Sequence, residues 1–108
     1  MGRSYLGEFE ELVLLAVNVL QTGAYGVNIA EELRQRANRT VSLSAVHIAL
    51  YRLEEKGYLT SEMGGATLSR GGRKKRIFSV TAEGREIVSE IQQVRSQFWN
   101  QIVTSAQS

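Results

Sequence analysis

The stretch LTSEMGGATLSRGGRKKRIFSVT, residues 59–81, decides the fold. At its two ends the side chains alternate with a period of two. Leu59, Ser61 and Met63 fall on one face against Tyr58, Thr60 and Glu62, and Phe78 and Val80 alternate with Ile77, Ser79 and Thr81. That period marks β-strands, and two such runs so close together make an antiparallel hairpin. What separates them is unusual. Most hairpin loops have about two to five residues, whereas here residues 64–75 intervene. Arg70, Arg73, Lys74, Lys75 and Arg76 place five of the chain's 13 basic residues in one seven-residue window that holds no acid. Gly71 and Gly72 at its centre allow a tight turn and close approach to a phosphate. A charge run taken alone is either a solvated loop or a contact for a polyanion; its setting has to decide.

Working outward, the residues before the hairpin repeat at helical spacing. Phe9, Leu12, Val13, Ala16, Val17 and Leu20 predict a first helix over residues 8–21. Leu15 and Val19 widen its stripe and Leu14 stands on yet another face, so the apolar arc exceeds half the circumference. Such a helix calls for two partners, the domain core and a second subunit. Ile29, Ala30, Leu33 and Ala37 face inward from a second helix over residues 25–37, where Gly26 admits a neighbouring backbone. A third helix is capped by Ser42 and ends at Lys56, with Gly57 as its left-handed terminator. Leu43, Val46, Leu50 and Leu53 form its buried stripe. Opposite lie Ser44, Ala45, Ile48, Arg52 and Glu55, with His47 and Tyr51 on the shoulder.

After the hairpin, Thr81 caps a last helix over residues 82–105. Ile87, Ile91, Val94, Phe98 and Ile102 recur at nearly coiled-coil spacing, with Val88, Trp99 and Val103 alongside. A helix of roughly six turns projects beyond so small a domain, and its stripe is expected to meet a partner subunit.

These elements describe an α+β, mainly α chain: a winged helix-turn-helix with a two-stranded wing and a C-terminal dimerisation helix. Residues 1–81 are expected to form the DNA-binding domain, and residues 82–108 the dimerisation helix packed on it. In this architecture the third helix enters the major groove while the wing touches flanking backbone or minor groove. The candidate recognition-helix contacts are Ser42, Ser44, Ala45, His47, Ile48, Tyr51 and Arg52. The wing contacts are Arg70, Gly71, Gly72, Arg73, Lys74, Lys75 and Arg76. The interface candidates are Phe9, Leu12, Leu15, Val19, Ile87, Ile91, Val94, Phe98, Trp99 and Ile102. Arg52 either reads guanine or grips phosphate, or it pairs with Glu55 or Glu31. Ile48 either meets thymine methyl groups or is partly buried. Gly71 and Gly72 let backbone approach phosphate while the flanking cations neutralise charge.

Composition narrows the rest. The chain has 108 residues, a net charge of +2, no cysteine and a single histidine, so thiolate and histidine-cluster metal sites are ruled out. It has no aspartate among its 11 acids and no phosphate-loop or dinucleotide fingerprint. No catalytic residues, metal or cofactor are therefore assigned, and the chain is not read as an enzyme. The longest apolar run, residues 12–17, is far too short to span a bilayer, and residues 1–5 lack the apolar segment of a signal peptide. A cytoplasmic location without membrane contact is expected. The competing function is a winged helix serving as a protein–protein interaction module without DNA binding, which would share the core pattern but need no basic wing.

The assembled residues resemble the PadR family of bacterial transcriptional regulators. The matching stretches are Leu6-Gly7-Glu8-Phe9-Glu10, Ala24-Tyr25-Gly26-Val27, Val41-Ser42-Leu43-Ser44-Ala45-Val46 and Leu50-Tyr51-Arg52-Leu53-Glu54-Glu55-Lys56-Gly57, followed by the wing residues 70–76 and Val80-Thr81-Ala82-Glu83-Gly84. They run in order, and the resemblance covers about residues 6–100. The resemblance implies a two-fold homodimer built on the first and last helices, binding a pseudo-palindromic operator in double-stranded DNA and usually repressing. The short last helix resembles the smaller subclass, some members of which bind flat aromatic molecules at the dimer seam. Trp99 is the residue placed to stack on such an effector, or else to pack the interface. The family usually has tyrosine where His47 stands, a residue that helps hold the DNA backbone; histidine can also donate that hydrogen bond.

Overall fold

A computed structural model of the chain describes residues 6–64 and 75–107. The elements are α1 (Glu8–Leu20), α2 (Gly26–Ala37), α3 (Leu43–Glu55), β1 (Leu59–Gly64), β2 (Lys75–Val80) and α4 (Ala82–Gln107). This is the winged helix-turn-helix order. Of the wing residues, Arg70, Gly71, Gly72, Arg73 and Lys74 lie outside the described residues, while Lys75 and Arg76 belong to β2.

Local chemistry sets the element ends. The Ser42 hydroxyl accepts the Ala45 N–H at 3.1 Å and caps α3. At the other end Gly57 takes φ +86°, and the Tyr58 and Gly57 N–H groups bond the Leu53 and Glu54 carbonyls at 2.9 and 3.0 Å. These bonds satisfy carbonyls that the helix would otherwise leave open. Thr81 caps α4 by accepting the Gly84 N–H at 3.0 Å, and its hydroxyl donates to the Gly57 carbonyl at 2.7 Å. One hydroxyl thus joins the end of α3 to the start of α4. Asn28 anchors the start of α2 in a similar way, accepting the Tyr25 N–H at 2.8 Å and donating to the Gly23 carbonyl at 3.0 Å.

The strands pair antiparallel from Leu59↔Val80 to Gly64↔Lys75, so pairing reaches the two residues that the alternation pattern assigns to the loop. β2 has a second neighbour that periodicity could not reveal. The Phe78 N–H bonds the Ala24 carbonyl at 2.8 Å in an isolated antiparallel bridge. A one-residue strand has no alternation to read.

The core gathers Val13, Leu14 and Val17 from α1, Ile29 and Leu33 from α2, Val46, Leu50 and Leu53 from α3, Leu59 and Phe78 from the hairpin, and Ile87 from α4. Three expectations change here. Leu14, set apart on its own face, is fully buried, because α1 is packed by α2 and α3 and also by β2 and α4. Most of the wide apolar arc is therefore covered within one chain, leaving Leu15 and Val19 exposed. In α3, Leu43 is exposed and Ala49 takes its place inside. The buried residues centre about 70° from Leu43 on a wheel of about 100° per residue, which puts Leu43 at the edge of the arc in the first turn. Ile87, named as an interface residue, is 6% exposed and belongs to the core of the single chain.

α4 divides along its length. Its first half packs on α1 and β2 through Gly84, Ile87, Val88 and Ile91. The Arg95 guanidinium grips the Glu11 carboxylate with two bonds, at 2.7 and 3.2 Å, at the limit of that contact. Beyond it Phe98, Trp99 and Ile102 are exposed, as is Val94 one residue earlier.

Gly84 is where α4 comes closest to the hairpin. A Cβ there would collide with the Tyr58 carbonyl oxygen and lie 2.8 Å from Val80 Cγ1. Alanine at an open helical site gains about 1 kcal/mol over glycine, whereas overpacking costs about 1–3 kcal/mol. The obstacle is backbone, so the clash dominates. Gly84→Ala is expected to lower unfolding free energy by about 1–2 kcal/mol in a urea titration; an unchanged or higher midpoint would contradict this packing.

Candidate nucleic-acid interface

Because Val46, Ala49, Leu50 and Leu53 hold one side of α3 in the core, its other side is presented outward. Ser44, Ile48, Tyr51, Arg52 and Glu55 are exposed there, with Ala45 and His47 half-buried at the margins. Ile48 is 56% exposed and Tyr51 49%. The sequence-predicted residues of the recognition helix thus share one face, except that Ser42 uses its oxygen as the cap. The first turn of α3 carries no acid, so its positive dipole end is uncompensated.

His47 and Tyr51 are held by packing. Their rings stack with centroids 6.2 Å apart, and Tyr51 meets the buried Phe78 edge-on at 6.1 Å. The imidazole also explains Gly26. A Cβ at that position would lie 2.6 Å from His47 Nε2 and 3.0 Å from Cε1. The close neighbour of Gly26 is therefore a side chain of α3, and not the backbone expected from sequence.

The base of the wing meets the same corner. Lys75 Nζ sits 4.1 Å from the centroid of the Tyr25 ring, directly before α2. Tyr25, Gly26, Val27, His47, Lys75 and Arg76 line a shallow depression there. It collects a lysine, an arginine, an imidazole and the N-terminal turn of α2, all suited to an anion. Tyr25 and Gly26 were not among the predicted site residues. Their signal was present in the Ala24-Tyr25-Gly26-Val27 stretch, but there it served only to open a helix. Arg76 also reaches the other way. Its Nη1 donates to Ser61 Oγ at 3.0 Å, and Ser61 donates to Glu54 at 2.9 Å. This chain of bonds ties the wing to the last turn of the recognition helix.

Two acids of α1 beside α3 are paired. Glu8 takes two bonds from Arg39, at 2.8 and 3.0 Å. Glu10 takes Lys56 at 2.6 Å and lies 3.9 Å from Arg52. The carboxylate facing Arg52 is thus Glu10 of α1, in place of the Glu55 or Glu31 considered from sequence. Glu31 bonds Arg34 and Gln35, which hold its carboxyl below the usual value. The Glu8 and Glu10 charges are in this way offset beside the exposed face, while Glu55 stands at its far end.

Among the described residues no helix is long and apolar enough to cross a membrane. The fold is that of solved PadR-family proteins. A PadR family transcription regulator from Clostridium difficile R20291 superposes with a TM-score of 0.72 at 22% identity, over 94% of this chain and 100% of that one. A PadR-like regulator from Bacillus cereus ATCC 14579 gives 0.71 at 18% identity, over 93% and 92%. Bacillus subtilis PadR in complex with operator DNA gives 0.65 at 14% identity, over 78% of this chain and 46% of that one. No curated protein matches the sequence. The sequence model of the PadR-like transcriptional regulators matches residues 14–90, from the middle of α1 through the hairpin into α4. By that match the chain belongs to the PadR-like family of transcriptional regulators.

Proposed function

We propose that the chain is a DNA-binding repressor acting as a homodimer on a pseudo-palindromic operator. The observation that carries this reading is the outward face of α3, clear of acids in its first turn, beside a hairpin that holds the densest basic run in the chain. The recognition helix supplies contacts through Ser44, Ala45, His47, Ile48, Tyr51 and Arg52. Lys75, Arg76 and the wing residues 70–74 grip phosphates on either side, and the depression at Tyr25 and Gly26 receives one of them. Residues 1–81 carry the DNA contacts and residues 82–108 the pairing helix, with its work in the cytoplasm. A PadR protein that shares this fold is bound to operator DNA in its solved structure, which supports the reading.

The homodimer rests on α4. Val94, Phe98, Trp99 and Ile102 leave a long apolar strip open to solvent, contiguous with the half-buried Ile91. Leu12, half-buried on α1, and the exposed Leu15 and Val19 of that helix add to the pairing surface, whereas Phe9, also expected there, lies under Arg39 and beside Ala45 and Ile48 of α3. Trp99, 62% exposed, is the surface on which a small flat aromatic effector would stack at the seam.

Duplex binding is expected to fall steeply with salt, the log–log slope losing about 0.9 for each phosphate neutralised. A flat response would reject the repressor reading. Replacing Arg73, Lys74 and Lys75 together by alanine is expected to weaken all duplexes alike and reduce the slope by about 2–3, with stability lowered by no more than the Lys75–Tyr25 contact, about 0.5–1 kcal/mol. Gly26→Ala meets only the His47 ring and forces it off its stack on Tyr51, so stability is expected to fall by no more than about 1–2 kcal/mol while duplex affinity drops; equal affinity would remove His47 from the interface. Replacing Val94 and Phe98 by glutamate is expected to halve the sedimenting mass, and an unchanged mass would contradict pairing through α4.

A further inference from the structure

Residues 43–51, the part of α3 free to enter a groove, contain no arginine, lysine, asparagine, glutamine or acid. Yet bidentate guanine contacts come from arginine or lysine, adenine contacts from asparagine or glutamine, and cytosine contacts from acids. His47 is turned aside, its ring seated against Gly26 and stacked on Tyr51. Arg52 comes later and leans toward Glu10, and Glu54 is bonded to Ser61. Only Ser44 and Ile48 stand fully outward in the first two turns after the exposed Leu43. Ser44 accepts or donates to any base edge, so it discriminates little. Ile48 is the one branched aliphatic side chain in the middle of that face, 56% exposed beside the half-buried methyl of Ala45.

We propose that Ile48 is the specificity-determining residue of this chain and that it reads the C5-methyl group of a thymine in the major groove. The inference rests on the DNA-binding reading above and names what that reading leaves open, the base class at the centre of each half-site. Charge favours this occupant: the first turn of α3 presents its positive dipole end, Lys75 and Arg76 flank the helix, and Glu8 and Glu10 are neutralised by Arg39 and Lys56. A methyl group set against isoleucine excludes water at a position where no polar side chain could replace it.

The test starts from selection of bound sequences out of a random duplex pool at fixed salt, using the full chain. Each thymine of the selected duplex is then replaced singly by deoxyuridine, which removes only the methyl group. One replacement per half-site is expected to weaken binding about fourfold, the worth of one buried methyl. Ile48→Ala is expected to erase that penalty, and Ile48→Val to retain it. The proposal is overturned if no single replacement exceeds about twofold, if Ile48→Ala keeps the full penalty, or if selection returns guanine or cytosine at the position. Failure to enrich any duplex overturns the DNA-binding reading itself, and this inference with it.

Discussion

The 2.8 Å bond from the Phe78 N–H to the Ala24 carbonyl fixes the hairpin to the helices. At that residue the backbone bridges to the α1–α2 connection while the ring is completely buried and meets Tyr51 edge-on. Strand, connection and recognition helix are therefore located by one side chain and one amide. A two-stranded hairpin alone is barely stable in water. Held at Phe78 and joined to α4 through the Thr81 hydroxyl, β1 and β2 are fixed at a defined place beside α3.

Around that frame the electrostatics follow a simple division. Two acids of α1 near the outward face of α3 are matched to cations from other elements, Glu8 to Arg39 and Glu10 to Lys56. The exposed Arg39–Glu8 pair contributes little stability. The effect of the two pairs lies in the field they leave behind, with the Glu8 and Glu10 charges offset while, among the described residues, Lys75 and Arg76 of β2 enter no ion pair.

Whatever depends on neighbours along the chain was legible in the sequence. Ser42, Gly57 and Thr81 end helices through contacts within a few residues, and the alternation at residues 59–63 and 77–81 needs no tertiary information. The winged-helix architecture and the outward face of α3 follow from these. What escaped depends on packing across the fold. Leu43 and Ala49 exchange roles because the core lies to one side of the predicted stripe. Leu14 and Ile87 are buried because α1 and α4 cover each other, which no single-helix pattern reveals. The fit of His47 over Gly26 and the approach of Arg52 to Glu10 join residues far apart in sequence.

The pairing of Glu11 with Arg95 has a mechanical meaning. It fastens α4 midway along its 26 residues, between a half locked in the core and a half with none of the core to hold it. The free half then acts as a lever with its fulcrum at Arg95. About 18 Å of helix lies beyond that point at about 1.5 Å per residue. A tilt of about 10° at the fulcrum would sweep the tip through about 3 Å by the same geometry. The position of the exposed Phe98, Trp99 and Ile102 is therefore set far less tightly than that of the half of the same helix held in the core.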